Sequence, residues 1–162
     1  SQPVQAVNFN CPGQTVIAGA AGAVEKACAA LKEAGAKRAI MLNVSAPFHS
    51  SLMEPAAQKL KKVLDKIEIK DAEIPVIANV NALAETKAAD SRTHLVEQAA
   101  HAVRWEESMR NLIAGGMDTM VECGPGTVLS GFMRKIDKSI VSYHAENIET
   151  IIETVQALKG VC

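Results

Sequence analysis

The amino-acid sequence predicts an α/β fold in which helices cover a parallel sheet. Apolar runs rich in β-branched residues alternate along the chain with segments of helical periodicity, and turn residues separate the two kinds of segment. Hydrophobic residues make up 48% of the 162 residues, which is enough to build a sizeable core. We therefore expect a folded chain and not a disordered one.

The beginning of the chain predicts a β-β-α-β unit. The runs Val4–Phe9 and Val16–Ala18 flank a Cys-Pro-Gly turn at 11–13 and indicate a hairpin. A helix is predicted over Gly22–Ala36 and a strand over Ala39–Val44. This order matches the latter part of a split βαβ, ferredoxin-like unit whose opening β-α is absent. The chain is therefore expected to start within a fold.

The rest of the chain predicts strands and helices in alternation. Ser51 and Glu54 fit a capping box, with Pro55 in the first turn of an apolar stripe that reaches Ile67. A Gly-Pro-Gly sequence at 124–126 lacks phosphate-loop and dinucleotide spacing, so it predicts a tight strand-to-helix turn. The other predicted elements are strand Pro75–Val80, helices Ser91–Ala102 and Trp105–Ala114, strand Thr119–Cys123, helix Val128–Ile136, strand Ile140–Tyr143 and helix Ile148–Leu158.

Composition excludes several classes of protein. The formal net charge of −1 argues against a dedicated nucleic-acid binder, and no apolar run is long enough to cross a bilayer. The cysteines have no metal-ligand spacing, so we expect no metal site. Four thiols so far apart could pair in an oxidising compartment, but in a core this apolar we expect them to be reduced, in the cytoplasm. They are Cys11, Cys28, Cys123 and Cys162. Cys123 ends an apolar strand and is predicted to be a buried structural thiol.

One histidine lies where α/β proteins collect functional groups. His49 follows the predicted strand Ala39–Val44 and precedes a predicted helix, within the segment Ser45-Ala46-Pro47-Phe48-His49-Ser50. An imidazole at this place is suited to general-base catalysis, because its ordinary pKa is close to neutral pH. The alternative is a loop histidine with ordinary hydrogen bonds. His94 and His101, which have no nearby ligand set, are interpreted as surface or partly buried residues.

Four segments in the same order resemble the malonyl-CoA:acyl-carrier-protein transacylases of bacterial type. Residues 10–19 (NCPGQTVIAG) are similar to the family sequence N-S-P-G-Q-x-V-I-A-G. The other three are APFHSSLM at 46–53, HLVEQAAHAVRW at 94–105 and VECGPGTVLSG at 121–131. Together they extend over most of the chain. Four ordered matches are more specific than any single motif.

The resemblance implies a fold, a reaction and its partners. It implies part of an α/β-hydrolase-like parallel-sheet domain at 49–162 and part of a ferredoxin-like α+β subdomain at 1–48. The implied reaction moves malonyl from coenzyme A to the pantetheine thiol of acyl carrier protein in fatty-acid synthesis, by a Ser–His ping-pong mechanism. Malonyl-CoA is a substrate, so no cofactor is expected, and neither a nucleic acid nor a membrane is an expected partner.

The resemblance also assigns roles to five residues. His49 is implied to be the general base, oriented by the main-chain carbonyl of Gln98 in place of the aspartate of a protease triad. Without the resemblance, Gln98 reads as an exposed helix residue. Asn10 and Gln14 match residues near the substrate cleft. In related acyltransferase domains, a phenylalanine directly before the histidine accompanies selection of malonyl over methylmalonyl. Phe48 is therefore implied to select malonyl, because its ring would occupy the space of a methyl branch.

The nucleophile of this reaction is not in the sequence. No serine lies in a G-x-S-x-G motif. In the family the serine, the arginine that pairs with the malonyl carboxylate and the oxyanion-hole loop all precede the histidine by more residues than are present here. The chain is therefore predicted to be the C-terminal half of such an enzyme, inactive alone, with the N-terminal half as a partner.

Two other interpretations stay open. The chain fits an acyltransferase-domain fragment of a polyketide synthase, or a non-catalytic module that docks a carrier protein. A group of lysines follows His49 and suits either docking of an acidic carrier protein or a solvated helix surface. These are Lys59, Lys61, Lys62 and Lys66.

Overall fold

The computed structural model describes residues 2–160 and has a mixed α/β fold. The strands of this part of the chain are β1 Val4–Cys11, β2 Gln14–Gly19, β3 Val76–Ile77, β4 Ala84–Glu85, β5 Thr119–Cys123 and β6 Val141–Ala145. The helices are α1 Ala21–Glu33, α2 Glu54–Leu64, α3 Ala88–Gln98, α4 Trp105–Ala114, α5 Val128–Ile136 and α6 Ile148–Lys159. Cys162 lies outside the described residues.

The chain divides into two compact units. The first unit contains the residues up to Asn10 together with Gln14–Ser108, and the second contains Cys11–Gly13 and the chain from Met109 onward. The predicted boundary between 48 and 49 concerns subdomains of a larger enzyme and stays a prediction. Within residues 2–160 no helix is long and apolar enough to span a membrane.

The predicted hairpin is confirmed, and its strands are longer than the apolar runs. β1 pairs with β2 across a turn in which Gly13 has a φ of 77°, a conformation that glycine adopts without a steric penalty. At the other end of the hairpin the two strands come so close that a Cβ on Gly19 would lie 2.1 Å from the Pro3 carbonyl oxygen. Helix α1 packs against β2.

The strand predicted over Ala39–Val44 is wrong for this chain. Residues 39–44 form neither a strand nor a helix. Ile40, Met41, Leu42 and Val44 are at least half exposed. The physical reason is that a strand needs a hydrogen-bonding neighbour, and no segment within residues 2–160 pairs with this one.

Helix α2 begins differently from the prediction. Ser51–Met53 is a 3-10 turn, Met53 precedes α2, and no side chain caps the helix, so the predicted Ser51–Glu54 capping box is wrong. Instead, the Ser51 amide donates a hydrogen bond to Gln5 Oε1 on β1 at 2.8 Å. Pro55 lies in the first turn, as predicted.

Helix α3 starts three residues earlier than predicted and also ends earlier. Asp71 accepts hydrogen bonds from the Ala88 amide at 2.9 Å and from Lys87 Nζ at 2.7 Å, so it caps the helix from a distant part of the chain. Strand β3 is only two residues long, and it pairs antiparallel with β4. The predicted buried strand Pro75–Val80 is therefore wrong in length and in burial, since Val76 is exposed.

The second unit is close to the prediction. β5 and β6 pair in parallel, with Thr119 beside Val141 and Cys123 beside Ala145. The 124–126 turn is confirmed as a tight strand-to-helix connection, in which both glycines have positive φ. Cys123 is exposed, so its predicted burial is wrong. On β5 it is the preceding residue, Glu122, whose side chain is buried.

Candidate active site

His49 lies in a strained and well-anchored loop. Its φ of 62° is in the left-handed region, which non-glycine residues rarely adopt. The next residue, Ser50, is almost fully buried, and both its hydroxyl and its amide donate to the Pro47 carbonyl, at 2.7 and 3.3 Å. Strain of this kind persists only where surrounding contacts hold it, and it occurs often at functional sites.

The ring of His49 is bonded to a carbonyl. His49 Nδ1 lies 2.8 Å from the main-chain oxygen of Gln98, 49 residues away. A carbonyl oxygen only accepts hydrogen bonds, so Nδ1 carries a proton and donates it. In the neutral ring Nε2 then holds the lone pair, which is the form that a general base requires.

The Gln98 carbonyl is available because of its place in the helix. Gln98 is the last residue of α3, and the carbonyls of the last helical turn have no intrahelical partner. The C-terminal end of a helix also carries about half a negative charge. The site thus offers His49 a hydrogen-bond acceptor and a partial negative charge without a carboxylate.

The side chain of Gln98 holds the same turn in place. Gln98 Nε2 donates to the His101 carbonyl at 3.1 Å, which identifies the nitrogen end of the amide. The chain then runs beside β1, where the Val103 amide donates to the Val7 carbonyl at 2.8 Å and the Phe9 amide donates to the Val103 carbonyl at 2.9 Å. These bonds fix the end of α3 against the first strand.

The residues predicted to bind substrate lie in two places. Phe48 adjoins His49, and its ring is half exposed. Asn10 is at the end of β1 and half-buried, whereas Gln14 opens β2 and is exposed, so the two lie on either side of the hairpin turn. The structure brings His49 together with Gln98, and the substrate roles of Phe48, Asn10 and Gln14 stay predictions.

His94, which was predicted to be a surface or partly buried residue without a ligand set, has two polar partners. His94 Nδ1 is paired with the largely buried carboxylate of Glu85, and His94 Nε2 lies 3.2 Å from Asn81 Nδ2. The Asn81 oxygen accepts from the Leu83 amide at 2.9 Å. This cluster connects β4 to α3 one helical turn before Gln98. Within residues 2–160, no three His, Cys, Asp or Glu side chains form a cluster suited to a metal ion.

A second polar cluster is buried in the other unit. The Glu122 carboxylate accepts hydrogen bonds from the Ser130 hydroxyl at 2.7 Å and from the amides of Ser130 and Leu129 at 2.8 and 2.9 Å. Burial opposes ionisation, but these hydrogen bonds, helped by the nearby His144, hold the pKa of Glu122 below its ordinary value. The sequence contains one signal for this cluster. Glu122 lies near the end of a predicted strand and only eight residues before Ser130 in the next predicted helix.

The chain matches a known family over nearly its whole length. The family model described as "Acyl transferase domain" matches residues 2–156. The malonyl CoA-acyl carrier protein transacylase of Bacillus subtilis is 53% identical over 156 residues, which are 96% of this chain and 49% of the relative. The chain therefore spans about half the length of the curated relatives it matches.

Solved structures agree with this match. The acyl-carrier-protein S-malonyltransferase of Burkholderia pseudomallei is 42% identical, with a TM-score of 0.92 over 96% of this chain and 50% of that one. A malonyl-transacylase in complex with its type II polyketide acyl-carrier protein is also 42% identical, with a TM-score of 0.93 over the same shares of the two chains. By sequence and by fold, this chain belongs to the acyl transferase domain family.

Proposed function

We propose that this chain supplies the general base of a malonyl-CoA:acyl-carrier-protein transacylase, and that the other half of the enzyme supplies the serine nucleophile. The observation that carries the proposal is the hydrogen bond between His49 Nδ1 and the Gln98 carbonyl, because it leaves Nε2 as the basic nitrogen. The names of the relatives support the choice of acyl group and carrier.

In the first half-reaction His49 acts once as a base and once as an acid. Nε2 removes the proton of the serine hydroxyl while the serine oxygen attacks the thioester carbon of malonyl-CoA. The tetrahedral intermediate then expels the sulfur of coenzyme A, which takes the proton from Nε2. The products are the malonyl-serine ester and free coenzyme A, and His49 is neutral again.

The second half-reaction runs the same proton transfers with the carrier protein. Nε2 removes the proton of the pantetheine thiol, and the sulfur attacks the serine ester. The serine oxygen leaves and takes the proton back from Nε2. The histidine is neutral again after each half-reaction, so one residue can serve both steps of a ping-pong mechanism through the malonyl-serine intermediate.

The orienting group suits this substrate. While it is protonated, the His49 ring is positive, and the carbonyl end of α3 stabilises that charge by about 0.3–1 kcal/mol. A carboxylate in the same position would stabilise the ring more strongly, but it would also repel the malonyl carboxylate. A neutral carbonyl fixes the ring without this repulsion.

The proposal is tested in the completed enzyme, which we define as this chain co-expressed with the half of the Bacillus subtilis relative that it does not match. After incubation with malonyl-CoA, intact-mass measurement should show one malonyl group on the partner polypeptide and none on this chain. Added carrier protein should remove it. His49→Ala should slow malonylation by about 10²–10⁴-fold, the usual contribution of general acid–base catalysis.

A matched control is His101→Ala, which removes an exposed imidazole and keeps the main-chain carbonyl that Gln98 contacts. It should leave the rate unchanged. Malonylation of this chain itself would refute the proposal, and so would an unmodified partner with His49 intact. A completed enzyme that binds carrier protein and transfers nothing would instead indicate a docking module.

A further inference from the structure

We propose that His94 is a positioning residue for malonyl transfer. Its ring ties the last turn of α3 to the β3–β4 hairpin and in this way aims the Gln98 carbonyl at His49. The inference rests on the proposed function, because it concerns the group that orients the proposed general base. It adds a residue whose effect on His49 passes through the end of a helix.

The Gln98 carbonyl can orient His49 only if the end of α3 keeps its place. The carbonyl lies 2.8 Å from His49 Nδ1, and Gln98 is the last residue of the helix. Helix ends fray, because the last carbonyls have no intrahelical partner. In an α-helix the amide of residue 98 bonds to the carbonyl of residue 94, so His94 belongs to the turn that carries the Gln98 carbonyl. A contact that holds His94 therefore holds this turn.

Both ring nitrogens of His94 have a partner outside α3. The Asn81 oxygen accepts from the Leu83 amide, which turns the Asn81 nitrogen toward His94 Nε2, at 3.2 Å. An amide nitrogen only donates, so Nε2 accepts and the ring proton is on Nδ1, which is bonded to the Glu85 carboxylate. Two directional bonds from one ring leave the helix little freedom to slide or rotate against β4. His94 thus fixes both the position and the rotation of the last turn.

The same hairpin also holds the chain beyond Gln98. The Arg104 amide donates to the Asn79 carbonyl at 2.9 Å, and Arg104 Nη1 donates to the Asn81 carbonyl at 3.3 Å. Asn81 therefore contacts residues on both sides of Gln98, since its side chain faces His94 and its main chain faces Arg104. The segment that contains Gln98 is held before and after that residue by one short hairpin.

The hairpin is closely bonded, as this role requires. Val76 on β3 pairs with Glu85 on β4. Between the two strands, Ala82 is fully buried with a φ of 62°, and its amide donates to the Ala78 carbonyl at 2.8 Å. Backbone strain of this kind persists only where surrounding contacts hold it. The side chains of Glu85 and His94 are 9% and 24% exposed, so water competes little for the bond between them.

The tautomer of His49 tests the inference without any malonyl transfer. The completed enzyme is isotope-labelled at the ring nitrogens of histidine, and long-range proton–nitrogen correlation spectra show which nitrogen carries the proton. His49→Ala assigns the His49 signals. In the unaltered enzyme the proton should be on Nδ1. In His94→Ala the fraction with the proton on Nδ1 should fall by at least about twofold, because the bond to the Gln98 carbonyl sets the tautomer.

Single-turnover kinetics test whether the change reaches the reaction. At saturating malonyl-CoA, His94→Ala should slow malonylation of the completed enzyme by at least about tenfold, since small displacements of a reacting group cost this much or more. The malonyl-CoA concentration at half-maximal rate should stay within about twofold, because substrate binding is not altered. A merely structural role would lower the amount of enzyme that reacts and leave the rate constant of the remaining enzyme unchanged.

Three further variants separate positioning from folding. Glu85→Gln keeps an oxygen that accepts the His94 proton, so tautomer and rate should stay within about threefold of those of the unaltered enzyme. Glu97→Ala removes an exposed side chain from the same turn of α3 and should change neither. If His94→Ala does not fold, Asn81→Ala breaks one of the two bonds of the ring and should shift the tautomer in the same direction.

An unchanged His49 tautomer in His94→Ala and Asn81→Ala would overturn the inference, and so would an equal loss in Glu97→Ala. A completed enzyme in which the tautomer depends on His94 but no malonyl group is transferred would support the inference and refute the proposed function. Transfer that His49→Ala slows and His94→Ala leaves unchanged would support the proposed function and refute the inference.

Discussion

His49 is fixed through both its backbone and its ring. Ser50 is buried and bonded to Pro47, while the ring nitrogen is bonded to Gln98. A main-chain partner has one consequence that a side-chain partner lacks. No substitution at position 98 removes the carbonyl, so the orientation of His49 depends on where α3 ends more than on which residue ends it.

Substitution of Gln98 separates these two contributions. In the completed enzyme, Gln98→Ala keeps the carbonyl and loses two contacts of the side chain. These are the hydrogen bond to the His101 carbonyl, worth about 0.5–1.5 kcal/mol, and the 3.4 Å contact between Gln98 Nε2 and His49 Nδ1. We expect malonylation to slow by less than about tenfold, far less than in His49→Ala. If the two variants were equally slow by stopped-flow mass analysis, the orienting group would be the side chain.

Phe48 is the residue through which we expect to alter acyl selection. Its ring is half exposed beside His49. Phe48→Ser should raise the rate with methylmalonyl-CoA relative to malonyl-CoA by about tenfold or more, in the range of one methyl group in an apolar pocket. Competition between the two thioesters measures the ratio. Phe48→Leu keeps the apolar bulk and should leave it nearly unchanged; an equal shift in both variants would exclude the steric explanation.

The β5–α5 connection depends on one buried carboxylate. Glu122 accepts three hydrogen bonds from the first turn of α5, where the amides of a helix have no intrahelical partner. Its negative charge also lies at the positive end of the helix dipole. The tight 124–126 turn brings β5 and α5 close enough for these hydrogen bonds. The hydrogen bonds then hold the turn in its conformation.

The stability of this connection should depend on acid pH. The pKa of Glu122 is lower in the folded state than its ordinary value, so its contribution is present above the unfolded-state pKa and is lost as the pH falls through the folded-state pKa. At neutral pH, Glu122→Gln should lower the free energy of unfolding by about 2–3 kcal/mol. Urea unfolding across the acid range should show a smaller loss of stability with falling pH in this variant.

Glu153→Gln is the matched control, because Glu153 is exposed on α6 in the same unit. It should leave both the stability at neutral pH and its dependence on acid nearly unchanged. An acid dependence in Glu122→Gln as steep as that of the unaltered chain would show that other carboxylates cause it.

Many large apolar side chains within residues 2–160 are exposed. The large apolar residues of the segment 39–44 are exposed, and so are Ile74 and Ile148, each of which is 78% exposed. Where exposed apolar side chains form continuous patches, such patches are typical of interfaces and favour association. The exposure of these side chains agrees with a chain that spans about half the length of its relatives.

This exposure predicts the behaviour of the chain in solution. Alone, the chain should bind a hydrophobic fluorescent dye and self-associate as its concentration rises. The completed enzyme should bind less dye per chain if, as proposed, a second half associates with this chain and covers part of its apolar surface. Sedimentation at several concentrations and dye titration measure both effects. If the chain alone stays monomeric and does not increase the fluorescence of the dye, its exposed apolar side chains do not form continuous patches.

The amino-acid order alone determined the elements whose contacts are local. The hairpin, α4, β5 with its turn and α5, and α6 follow from periodicity and turn residues, since these depend on neighbours along the chain. The ordered motifs also led to His49 and to the family. Each of these conclusions required only residues that are close in sequence.

Only the tertiary structure decided the pairings between distant segments. The Asp71 carboxylate accepts from the first amide of α3, Glu122 becomes a buried acceptor, and residues 39–44 fail to form a strand. Each of these outcomes depends on whether a distant segment of the chain supplies a partner. A local sequence pattern carries no information about distant partners. The contact between His49 and Gln98 also joins distant segments. Every residue has a main-chain carbonyl, so the residue type at the end of a helix does not indicate that its carbonyl binds a histidine.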